Sequence, residues 1–157
     1  MKFLVTKELH TSPLLTSLII GVSLALFLYL AVDIVLHGYV IGVDIEAITS
    51  TLYGNEEIFV EPILLDSLLL QVHIDFFMSL LSIMVLASIY IRLYSAKLST
   101  KWLVHTVLLL GLLSPIMLMV AFFTSITFVY IWIGSFLIGH ILAMFMTLAI
   151  IKKLWFK

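Results

Sequence analysis

Cysteine is absent from the 157 residues. That excludes disulfides, thiolate metal sites, iron–sulfur clusters and covalent c-type haem attachment, and leaves imidazole and carboxylate as usable ligands. Charge is also scarce. Asp, Glu, Lys and Arg make up 11% of the chain, against about 25% in an ordinary soluble domain. The formal net charge of −1 offers nothing to attract nucleic acid. No G-x-x-x-x-G-K, H-E-x-x-H or G-x-S-x-G occurs, and no serine has a histidine and an acid at helical reach. Nothing therefore points to an enzyme acting on its own. No pair of short, Gly- or Pro-broken helices marks a transporter's substrate site either.

What the chain has in excess is hydrocarbon. Hydrophobic residues make up 64% and mean hydropathy is +1.29. A soluble domain of this size has too little interior to bury so much apolar surface. The surrounding solvent is therefore lipid. At roughly 20 apolar residues per crossing, four spans are expected, at about 14–36, 66–93, 102–123 and 128–151. The first apolar run exceeds the about 7–15 residues of a signal peptide and has no small-residue cleavage site after it, so it reads as a retained span. The fold class expected is an all-α membrane protein, a single-domain antiparallel four-helix transmembrane bundle.

Charge placement sets the expected orientation. The eight Lys and Arg residues fall near the N-terminus, in the 92–101 region, or near the C-terminus, and none lies in the loop 38–61. The positive-inside rule reads this as N-in, C-in across the cell's inner (cytoplasmic) membrane, with 38–61 as the outer loop. Within that loop, Asp44 can cap a short helix whose apolar residues Ile45, Ile48 and Leu52 share a face, and Gly54 can stop it. This predicts an amphipathic helix on the membrane surface. Ser17, Gly21 and Ala25 recur every four residues in the first span, as do Ser135, Gly139 and Ala143 in the fourth. Small-residue stripes let membrane helices approach closely, so the first and fourth helices are expected to pack through them.

Ionisable groups within a bilayer are costly, and each calls for a partner or a role. Asp33 and His37 share a face of the first helix. Asp66 and His73, seven apart, share a face of the second, with Gln71 and Asp75 on its opposite side. Together Asp33, His37, Asp66, His73 and Asp75 form a candidate outer-face site for a divalent metal, because imidazole and carboxylate suit zinc, iron, nickel or copper. The same groups serve equally as a proton relay, or as wet groups at headgroup level. His140 is about 12 residues, or about 18 Å, from the lysine end of the fourth helix, close to the bilayer centre. His105 is near the inner end of the third helix, and Pro115 predicts a kink there.

The segments "ELHTSPLL" (His10), "LLLQVHIDFF" (His73), "LVHTVLLLGLLSP" (His105, Pro115) and "FLIGHILAMF" (His140) resemble the four-helix b-type cytochromes that serve as membrane subunits of hydrogenases and related oxidoreductases. That resemblance implies haem b as cofactor and an electron-transfer role. His73 and His140 would be the axial pair, with His10 and His105 as lesser candidates. Two other readings of the residues stand beside it: the outer-face metal or proton transport site, and an accessory or scaffold subunit without chemistry of its own. The partners expected are the lipid bilayer and either another membrane subunit or a second copy of the chain.

Overall fold

The computed structural model describes residues 12–95 and 98–156. Every long element in them is helical. Helix α1 (Pro13–Val40) starts where Ser12 turns its side chain back to accept from the Leu15 N–H, with proline in the first turn. There the missing proline N–H removes no helical bond. Helix α2 (Ile45–Tyr53) is capped by Asp44, whose carboxylate accepts from the Ala47 N–H at 2.8 Å. Gly54 stops it at φ +82°, in the left-handed region where a Cβ is strained. A 3-10 turn (Glu56–Ile58) and an Asn55–Val60 bridge close the loop.

The second crossing is one continuous helical stretch, Leu65–Tyr94. It comprises α3 (Leu65–Ile74), a π turn (Asp75–Ser79) and α4 (Leu80–Tyr94). Helices α5 (Leu98–Phe123) and α6 (Ile126–Trp155) complete the set. All four long helices, Pro13–Val40, Leu65–Tyr94, Leu98–Phe123 and Ile126–Trp155, are long and apolar enough to cross a membrane. Large apolar side chains such as Leu28, Leu109 and Ile141 are more than half exposed. This outward apolar face suits lipid rather than water, and the chain is a multi-pass membrane protein in character.

Packing is heaviest between α5 and α6, then between α1 and α6. The small-residue stripes behave differently from expectation. Ser135, Gly139 and Ala143 of α6 are buried, and a Cβ at Gly139 would meet Leu110 of α5 at 3.3 Å. Ser17, Gly21 and Ala25 of α1 face outward, with nothing near Gly21. Helix α1 instead turns Ile19, Ser23, Leu30, Asp33 and His37 inward. The physical reason is the polar pair: burying Asp33 and His37 against partners outweighs the close approach that a small stripe would allow.

The interior has two separate apolar clusters. One, toward the lysine-bearing end, includes Ile83, Leu86, Val107, Met146 and Ile150. The other, toward the 38–61 loop, includes Leu68, Val72, Leu118, Val129 and Trp132, and takes in Ile48 and Leu52 of α2. So α2 has the expected cap, stop and apolar face, but that face covers the end of the bundle instead of lying free. Tyr53 fastens it by donating to the Ala121 carbonyl at 2.7 Å. Burial raises the Tyr53 pKa, which keeps the hydroxyl a donor. At the opposite end, Tyr94 donates to the Ala149 carbonyl and Lys153 to the Leu93 carbonyl, tying α4 to α6.

Candidate functional site

Between the two apolar clusters lies a layer of buried polar side chains supplied by α1, the α3–π segment and α6. Each contributes groups four residues apart, which is the spacing that brings side chains onto one helical face. Helix α1 gives Asp33 and His37, α3 and the π turn give Gln71, Asp75 and Ser79, and α6 gives His140, with the apolar Phe136 one turn before it. All are buried.

The π turn is what keeps the middle set in line. From Gln71 to Ile83, twelve residues at about 100° each would rotate the inward face by about 120° off axis. One extra residue in the wide turn returns about 100° of that, so Gln71, Asp75, Ser79 and Ile83 all point inward. Single π turns inside α-helices are frequent at functional sites.

The hydrogen bonds form two adjoining acid–imidazole pairs. His37 Nδ1 pairs with the backbone carbonyl of Asp33 at 2.9 Å, and its Nε2 is 3.0 Å from Asp75 Oδ2. His140 repeats the arrangement: Nδ1 pairs with the Phe136 carbonyl at 2.9 Å, and Nε2 with Asp33 Oδ2 at 2.8 Å. Asp33 Oδ1 is 3.6 Å from His37 Nδ1, beyond hydrogen-bond reach, so the Asp75–His37 and Asp33–His140 pairs adjoin without a hydrogen bond between their side chains. The Gln71 amide donates to Asp75 Oδ1 at 3.0 Å and is 3.2 Å from His37 Nε2. Tyr29 and Ser79 extend the network by a 3.4 Å contact.

A carbonyl only accepts, so each imidazole carries its proton on Nδ1 when neutral, and its Nε2 is then a lone pair facing a carboxylate. Two acceptors do not bind. The 3.0 and 2.8 Å contacts are hydrogen bonds only with one further proton in each, on the nitrogen or on the oxygen. The proton also neutralises the carboxylate's charge, which an apolar interior would otherwise penalise heavily. The site holds two such acid–imidazole pairs.

Phe136 lies between the imidazoles, with ring centroids 4.3 Å from His37 and 4.1 Å from His140. A cavity of about 20 Å³, room for about one water, adjoins Asp75, Ser79, Ser114, Ser135 and His140. Asp33, His37 and Asp75 each offer a ligand atom within 4.8 Å of the others, which is a donor set able to hold a divalent cation.

The remaining expected residues are elsewhere. His73 is exposed on the outer surface of α3, in line with exposed Phe77, Leu81 and Met84. Asp66 is exposed and accepts from the Ser67 N–H. The structure thus turns the Gln71–Asp75 face inward, and the Asp66–His73 face, expected opposite Asp33 and His37, outward. The reason is legible in hindsight: the large apolar residues of this helix accumulate on the His73 side, and they go to lipid. His73 and His140 do not meet across the bundle. The cavity beside His140 has room for about one water. His105 is exposed and bonded to the Lys101 carbonyl. His10 falls outside the described residues.

Gln71, Tyr29, Ser79 and Phe136 were not singled out as site residues by sequence. The usable signal was the repeated four-residue spacing: Gln71–Asp75–Ser79 and Trp132–Phe136–His140 both match the Tyr29–Asp33–His37 row. No protein-family model matches the chain, and no curated protein or solved structure is similar to it.

Proposed function

We propose that this chain is a proton-handling membrane protein, in which the Asp75–His37 and Asp33–His140 pairs take up protons and pass them through the middle of a four-helix antiparallel bundle. The observation that carries the reading is the geometry of the two imidazoles. Each spends Nδ1–H on a carbonyl four residues back and presents Nε2 to a carboxylate. With its proton each pair is neutral overall, and losing that proton leaves a carboxylate charge that draws in the next one.

The lysine and arginine distribution supports an N-in, C-in orientation, with the loop 38–61 outside. His37 then lies about a turn below the outer end of α1, and His140 deeper. The two pairs run from the outer side toward the centre. Beyond it, the apolar cluster around Ile83, Val107 and Met146 closes the inner half. Passage across that plug requires a rearrangement, so the reading is of gated or coupled proton transfer rather than an open pore.

The test is proton movement in vesicles containing the purified protein and a trapped pH-sensitive dye. Wild type is expected to equilibrate an imposed pH difference faster than empty vesicles, and Asp75→Asn and His37→Gln to abolish the excess. Equal rates in wild type, both variants and empty vesicles would dispose of the proposal.

A second reading has its own observation. The Asp33, His37 and Asp75 donor atoms are close enough for one divalent cation, whose charge neutralises two carboxylates as two protons do. Zinc content of the wild type, compared with the Asp75→Asn variant by elemental analysis, distinguishes it. Metal at one per chain in wild type alone supports this reading, and equal content rejects it.

A further inference from the structure

Among the described residues, helix α5 adds no side-chain hydrogen bond to the polar layer; Thr100 and His105 bond to backbone carbonyls near its other end. Yet α5 carries two polar groups beside the layer that its own helix does not satisfy. The first is the Ser114 hydroxyl. Ser114 is 6% exposed and lies on the inward face of α5, in a row with Val107, Gly111 and Leu118. Ser88 and Ser135 donate to carbonyls of their own helices, whereas Ser114 has no partner among the described residues. The second follows from Pro115. Proline has no N–H, so the Gly111 carbonyl, four residues back, lacks its helical donor.

Gly111 and Ser114 both line the cavity of about 20 Å³ that reaches from Asp75 and His140 toward Ile83 and Ala143. The unpaired polar atoms sealed inside the bundle are Ser23 Oγ and Trp132 Nε1. Ser114 Oγ is not among them, because it opens onto this cavity. Asp75 lines the same space. Its Oδ1 accepts from Gln71 and its Oδ2 faces His37, and a carboxyl group retains capacity to accept once more. The cavity thus offers one hydroxyl with a proton to give and two oxygens able to receive. A single water complements that set, since it accepts once and donates twice, and buried waters make about three bonds to otherwise unsatisfied groups. The volume excludes anything much larger. A cation is disfavoured, because the Asp75–His37 pair with its proton is already neutral.

We infer that this cavity binds one ordered water, which accepts from Ser114 Oγ and donates to the Gly111 carbonyl and to the Asp75 carboxyl. The water fastens α5, at its proline, to the polar layer that the other three long helices build directly. Its binding does not depend on whether the acid–imidazole pairs move protons, so protein without proton flux still shows the contact.

The experiment uses the deuterated, 15N-labelled full chain in deuterated detergent micelles, with magnetisation transferred from water to backbone amides. Direct transfer with the sign of a long-held water is expected at one or more of Gly111, Ser114, Gly139 and His140, which line the cavity. Val107 and Leu118, fully buried on the same face of α5, should show none. Ala143→Val fills the cavity without touching a hydroxyl and should abolish the signal. Ser114→Val, a milder change in volume, removes the donor and should abolish it too. Far-ultraviolet circular dichroism checks that each variant is folded. Absence of the signal at all four amides in wild type overturns the proposal. So does a signal that survives in either folded variant, since it then comes from an exchanging hydroxyl or from water elsewhere.

Discussion

Replacing Asp33 and His140 by leucine, singly and together, tests the ionic character of their pairing without any assay of function. Asp33 Oδ2 and His140 Nε2 are 2.8 Å apart, and both side chains are buried. If the contact holds its proton with ionic character, removing one partner leaves the other stranded, at about 3–5 kcal/mol. Removing both leaves two leucines beside Leu30 and Ala143, and such replacement of a buried pair is often neutral or stabilising. The double variant should then be no less stable than either single one, giving a coupling energy above about 2 kcal/mol. An ordinary hydrogen bond between membrane helices predicts far less, about 0.6 kcal/mol on average and about 1.7 at most. The readout is reversible unfolding of detergent-solubilised protein as the fraction of dodecyl sulfate rises, followed by far-ultraviolet circular dichroism. A coupling at or below about 0.6 kcal/mol would refute the ionic character of the Asp33–His140 pair.

Packing supplies further tests. A Cβ at Gly111 would lie 2.6 Å from Ile83 Cδ1, so Gly111→Val should cost about 1–3 kcal/mol by overpacking in the same unfolding assay, whereas Gly21→Leu should leave the midpoint unchanged. Tyr53→Phe loses the bond to the Ala121 carbonyl, about 0.5–1.5 kcal/mol, and should speed proteolytic cleavage in the 45–61 region; unchanged cleavage would mean α2 is held by Ile48 and Leu52 alone. His73→Leu should leave both stability and proton movement as in wild type, since the side chain faces outward. Purified protein supplied with haem b should show no Soret band, and a band lost in both His73→Leu and His140→Leu would contradict the packing described for this bundle.

The four long apolar helices and the capped α2 were legible because they depend on local signals: apolar run length, and Asp44 and Gly54 at the two ends of a nine-residue helix. Asp33, His37 and Asp75 were equally visible as costly residues in hydrocarbon. Which face of the second span turned inward was not legible from period alone. Both the Asp66–His73 and the Gln71–Asp75 faces carry polar groups, and the choice depends on where Phe77, Leu81 and Met84 find lipid. Nor does sequence show the π turn, whose extra residue is a tertiary compromise that keeps Asp75 and Ile83 on one side. The meeting of Asp33 with His140, 107 positions apart, depends on the vertical offset between α1 and α6. Helical periodicity carries no information about that offset.

Smooth greasy rods slide past one another at little cost, since hydrocarbon is indifferent to which methyl it touches. The belt of imidazoles and carboxylates between the two oily clusters removes that indifference. A slip of α1 by one turn, about 5.4 Å, would part Asp33 from His140 and His37 from Asp75. The belt therefore works as a lock tooth that admits one depth for each helix. Whatever else it does, it gives a bundle rich in Leu, Ile and Val a single resting position.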